Sequence, residues 1–150
     1  MREILFKAKL KNQDKWTEGF YCKRKETTYC FEEDYKRHPV PIHHLIIKDV
    51  MTDWGLPNEL RAYEIDPETL CEYTGLNDKN GKKIFENDIV KVSHTKSDDN
   101  LVVVKYGTYI CGCCDGVFGW YFDGGDIRDN HMYEVVGNVF DSKTGEENNK

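Results

Sequence analysis

Long apolar runs are missing from this sequence. No window of its 150 residues approaches the roughly 18 apolar positions of a membrane-spanning helix. The opening "MREILFKAKLKNQDKW" is broken by charge too often to hold the core of a secretory signal. No membrane partner is expected, and a reducing cytosol is the expected location, where six cysteines are free thiols by default. A basic excess is also lacking. The net charge of −6 opposes general attraction to phosphate backbones, since such affinity comes from Lys and Arg neutralising phosphates. Glycine-rich phosphate loops, nucleophile elbows and metalloprotease helix motifs are absent. No specific enzymatic claim attaches to the chain, and a non-enzymatic protein without a cofactor is expected.

A second C-x-x-C is absent too, which bears on the cluster Cys111, Cys113 and Cys114. A closed zinc site needs four nitrogen or sulfur ligands, and only the distant Cys22, Cys30, His94 and His131 could complete one. Redox chemistry prefers a thiol at a helix N-terminus, whereas strand-like and glycine-rich segments surround this cluster. These three cysteines are therefore the candidate metal ligands, with reduced thiols as the expected state. His43 and His44 are adjacent on a strand-like segment and point to opposite faces, so they cannot readily chelate one metal. Glu32-Glu33, Asp98-Asp99, Asp123 and Asp126 are read as solvated carboxylates, because nothing sets a pair across a cleft.

What is present is β-patterning. "EILFKAKL", the polar "KNQDK" and "WTEGFYC" read as a hairpin, "TTYCF" continues in the same manner, and "PIHHLIIK" reads as a strand after Pro39 and Pro41. A helix is possible near Pro57 to Ala62, "FEEDYKRH" fits either a helical turn or a charged loop, and "DPETL" has the Asp-Pro-Glu pattern of a helical turn. "LVVVKYGTYI", "VFGWYF" and "YEVVGNVF" follow as β-branched or aromatic runs between turn residues. Alternation puts Phe118, Trp120 and Phe122 on one face, expected to be a core face rather than a stacking platform for single strands.

The stretch Tyr73 to Val92, "YTGLNDKNGKKIFENDIVKV", offers two readings. Setting Gly81 at position 6 of a calcium loop puts Asp78 and Asn80 correctly at positions 3 and 5, but Leu76 at position 1 and Asn87 at position 12 leave two essential carboxylates missing. A turn fits better: Asn80-Gly81 is a strong signal for a type I′ hairpin, which needs positive φ at both residues. A second turn is expected at Glu86-Asn87-Asp88.

With "EIDPETLCEY" before it, this stretch closely resembles the signature of the YopX family. The N-terminal "REILFKAKL…WTEGFYC" and the C-terminal "YEVVGNVF" extend the resemblance over most of the chain. It implies a protein of phages and integrated prophages, mainly β, and carries over no catalytic residue. Asn87 stands where the family commonly has glycine, and Asn is the next best residue for a left-handed position. "CGCCDG" is foreign to the pattern.

The resulting expectation is a mainly β protein with little helix. Residues 1–70 form an N-terminal β subdomain, 71–142 a small SH3-like barrel or bent sheet packed with it, and 143–150 a polar tail. The last step is fold analogy. Exposed strand edges on so small a β protein need covering, so self-association and a host or phage protein partner are expected. The alternative is a nucleic-acid module using Lys82, Lys83, Lys91, Lys105 and Tyr106, with a metal-dependent enzyme behind it.

Overall fold

The computed structural model describes residues 3–92, 101–110, 116–122, 125–126 and 133–141. Two compact units divide the chain, one of Leu5–Leu70 and one of Met1–Ile4 with Cys71–Lys150. Both are mainly β and antiparallel.

In the Leu5–Leu70 unit, β1 (Phe6–Lys9) and β2 (Trp16–Lys25) form the expected hairpin, with Ala8 opposite Thr17. The polar "KNQDK" makes its turn, where Asn12 takes φ 60°. β3 (Ile42–Val50) pairs with β2, and β4 (Glu59–Glu64) pairs with β3, giving the order β4-β3-β2-β1. Alternation along β3 sends Ile46 into the core with Ala8 and Ile65, where Phe6, Tyr21 and Leu70 pack against them. A short helix α1 (Glu32–Arg37) spans the gap before β3, with Glu32 and Glu33 one turn from Lys36 and Arg37. A 3-10 turn at Pro67–Thr69 ends the unit, its N-terminus capped by the Asp66 carboxylate accepting from Glu68 N–H.

Two expectations fail in this unit. "TTYCF" is not a strand: β2 ends at Lys25 and the chain turns away towards α1. Pro57 to Ala62 is not a helix either, because its last residues pair with β3 from Val50 back, a long-range ladder that overrides local preference.

The second unit contains β5 (Cys71–Asn77), β6 (Lys83–Phe85), β7 (Asp88–Val92), β8 (Leu101–Val103), β9 (Lys105–Tyr109), β10 (Val117–Phe122), β11 (Gly125–Asp126) and β12 (Tyr133–Asn138). β5 pairs with β6, while β12-β7-β8 and β11-β10-β9 make two three-stranded sheets. Ile84, Val90, Val104, Tyr133 and Val135 form the core, against which Trp120 and Phe122 pack. Among the described residues the strands form several open sheets and close no barrel, so of the two forms expected the bent sheet is the consistent one. Phe118 is a correction: it shares the face of Trp120 but is 68% exposed, because β10 runs beyond the edge of the core at that end.

Candidate functional site

The carboxylates Asp78 and Asp88 of the signature stretch are occupied by the protein itself. Asp78 Oδ1 accepts from the backbone N–H of Asn80 (2.8 Å) and Lys82 (2.9 Å), while Oδ2 accepts from Val135 N–H at 3.0 Å. Burial works against its charge, but the N–H groups of Val135, Lys82 and Asn80 outweigh it and hold the carboxyl below its ordinary range. The turn is not type I′. Gly81 has φ 81° while Asn80 is not left-handed, and Gly81 N–H donates to Asp78 O. The Asp78 side chain, by bonding Asn80 N–H, selects an ordinary turn followed by a left-handed glycine.

Asp88 is fully buried and equally committed. Its Oδ2 accepts from Phe85 N–H and its Oδ1 from the Asn138 side-chain amide, each at 2.9 Å. Asn87 takes φ 61°, as its turn position requires, and its backbone bonds both Val104 and Val139. These carboxylates tie turns to strands and leave no oxygens converging on an ion.

The lysine and aromatic candidates are dispersed. Lys105 and Tyr106 are consecutive on β9 and face opposite sides. Lys91 on β7 lies opposite Glu134, which is also ion-paired with Lys79. Lys82 belongs to the Asp78 turn and Lys83 begins β6. Tyr106 contacts Phe118 and Trp120 at ring distances of 5.0 and 4.7 Å. Cys111, Cys113 and Cys114, with His94, His131, Asp98, Asp99, Asp123 and the 143–150 tail, lie outside the described residues. Cys71 is buried and accepts from the Asn87 and Asn138 side-chain amides, and among the described residues no three His, Cys, Asp or Glu are grouped to hold a metal ion.

Sequence reasoning missed two features of the Leu5–Leu70 unit. The first is a charged cluster on β3 and β4. His43 Nε2 lies 2.8 Å from Glu26 and Nδ1 3.1 Å from Glu64, and Lys11 Nζ donates to Glu64 at 2.8 Å. The hydrogen bonds to Glu26 and then Glu64 raise the imidazole above its ordinary value, while Lys11 and His43 hold Glu64 below its own. His43 lines an open cleft of about 400 Å³ with Arg24, Glu26, Leu45 and Ala62. His44, on the opposite face, meets the Tyr21 hydroxyl at 2.7 Å. Both ring nitrogens of His43 lie within hydrogen-bond distance of a carboxylate.

The second feature is the outer edge of β4. Ile65 N–H donates to His44 O, which fixes the phase of the ladder: Ile65, Tyr63, Arg61 and Glu59 bond β3, and Leu60, Ala62 and Glu64 turn their backbone groups outward. Lys11 N–H takes the Glu64 carbonyl at 3.0 Å. Leu60 and Ala62 form the remaining outward edge, and their exposed side chains share a sheet face with exposed Phe20 and half-buried Ile47.

Comparison with known families gives a match over nearly the whole chain. The model of the YopX protein family aligns with residues 3–144. The chain belongs to the YopX family. No curated protein and no solved structure matches it. This YopX-family chain has, among its described residues, no helix long and apolar enough to cross a membrane.

Proposed function

We propose that this YopX-family chain, encoded by a phage or prophage, is a non-enzymatic protein-interaction module that works in the host cytoplasm as a homo-oligomer. The observation that supports assembly is the outward edge of β4. In an antiparallel pairing of two copies with Leu60 opposite Ala62, the N–H and C=O groups of both residues are satisfied in each copy. The same register sets Leu60 beside Ala62 on the face that carries Phe20 and Ile47, so backbone pairing and apolar burial coincide. Arg61 faces its own counterpart, with Glu59 at 3.1 Å offsetting its charge.

Light scattering over a concentration series tests this. Twice the single-chain mass is expected for the native protein, and the single-chain mass for Ala62→Pro, which removes an outward N–H and leaves the β3–β4 bonds in place. A native protein that stays at one chain mass at every concentration overturns assembly. Salt-sensitive retention of a labelled single-stranded oligonucleotide would transfer support to the nucleic-acid reading.

A further inference from the structure

The connection between β3 and β4 holds the most exposed of the chain's three tryptophans. Trp54 is 92% exposed at the tip, with Met51 and Leu56 exposed on either side of it. The other two are half-buried, Trp16 beneath Lys7 and Lys9, and Trp120 against the core. Single exposed apolar residues are ordinary on a protein surface, but three within six residues on one tip are not.

The tip is held in shape. Leu56 N–H donates to Asp53 O at 3.3 Å, Gly55 takes φ 79°, the Asp53 carboxylate accepts from Trp54 N–H at 2.7 Å, and Thr52 Oγ1 donates to Pro57 O at 3.2 Å. Such a loop holds the backbone that carries the indole, which lowers the entropy lost when a partner closes over it. Its charge selects among occupants. Asp49 and Asp53 are exposed near the apolar side chains, Arg61 is paired with Glu59, and Lys48, which keeps its charge over the Tyr63 ring, offsets one of the two, so the rim stays net negative. An acidic rim is repelled by the anionic lipid surface of a bacterial or cytoplasmic leaflet. Two copies meeting tip to tip would likewise oppose like charges.

We infer that the β3–β4 tip inserts Trp54, flanked by Met51 and Leu56, into an apolar cleft on a different protein whose rim carries Lys or Arg. The inference rests on the reading of the chain as an interaction module but not on the β4 edge. Tryptophan suits this role because a central, desolvated indole commonly dominates an interface.

The test has two stages. A photoreactive phenylalanine derivative at position 54 of the full chain is cross-linked in lysate of the source cells, the adduct identified by mass spectrometry, and that protein purified. Its affinity is then measured for the native chain, Trp54→Ala, Asp53→Lys and a β2-face control, Glu18→Gln. Trp54→Ala is expected to weaken binding about 30-fold or more. Asp53→Lys should weaken it and flatten its salt dependence, and Glu18→Gln should leave it unchanged. All variants should retain the native assembly mass and circular dichroism, which separates failure here from failure of the β4 assembly. Three results overturn the inference: adducts only between copies of this chain, binding of phosphatidylglycerol vesicles that Trp54→Ala abolishes, or a purified partner that binds native and Trp54→Ala chains equally.

Discussion

Replacing Asp78 by alanine should destabilise the Cys71–Lys150 unit by about 3 kcal/mol, and the reason lies in where its two oxygens point. Oδ2 accepts from Val135 N–H, a buried group 57 positions away, so its loss leaves a donor without a partner at a cost of about 1–3 kcal/mol. Oδ1 organises the turn through Asn80 and Lys82, whose N–H groups water can reach after the change, so each contributes about 0.5–1 kcal/mol. Asp78→Asn separates the two. It keeps one oxygen for the turn but sets an NH2 against Val135 N–H, donor to donor, and should retain the turn while losing about 1–3 kcal/mol. Urea unfolding followed by near-ultraviolet dichroism measures both. The carboxyl is held below its ordinary range in the fold, so its contribution is complete above the unfolded carboxylate pKa and disappears as pH falls through the lower folded value. The native chain should therefore lose stability on acidification more steeply than Asp78→Asn. A change under about 0.5 kcal/mol for Asp78→Ala, or equal acid sensitivity of the two chains, would refute the reasoning.

Asn87→Gly should be neutral to within about 0.5 kcal/mol, and Asn87→Ala should cost about 1–2 kcal/mol, since φ 61° must persist to keep the bonds to Val104 and Val139. Thermal unfolding decides between them. Gly19→Ala and Gly81→Ala should fail for different reasons: an added Cβ at Gly19 meets Ile47 O, while at Gly81 the space is open and only φ 81° objects. The first should therefore disturb β2–β3 amide protection in hydrogen exchange, whereas the second leaves that ladder intact. The His43 imidazole should titrate above its ordinary value by NMR, and Glu26→Gln should bring it down. Because the folded value is the higher one, the stability that His43 adds is present below its unfolded pKa and lost as pH rises through the folded pKa. Millimolar calcium should leave the unfolding temperature unchanged, because both Asp78 oxygens already accept from backbone N–H groups and two loop carboxylates are missing. A calcium-dependent rise would reopen the ion-loop reading.

How much was legible depends on the range of the interaction. Two-residue alternation in "FKAK" and "IHHLIIKDV" reveals β1 and β3 because the face that Ile46 must bury is encoded in its immediate neighbours. Asp66 before Pro67 marks its helical turn, and Asn87 its left-handed position, through purely local stereochemistry. By contrast, Asn80-Gly81 misled as to turn type, because the deciding contact is a side chain two residues earlier that also answers to Val135. Residues 57–62 misled because their partner, β3, is paired through tertiary register.

The sequence by itself determined the family, the β class, the absence of any long apolar run and most turn positions, all of which rest on short-range pattern and backbone preference. Only the tertiary structure decided which backbone groups of β4 point outward, that Phe118 leaves the core, and that His43 sits between two carboxylates. Those facts depend on the phase of a ladder and on residues far apart in the chain. No local window contains them.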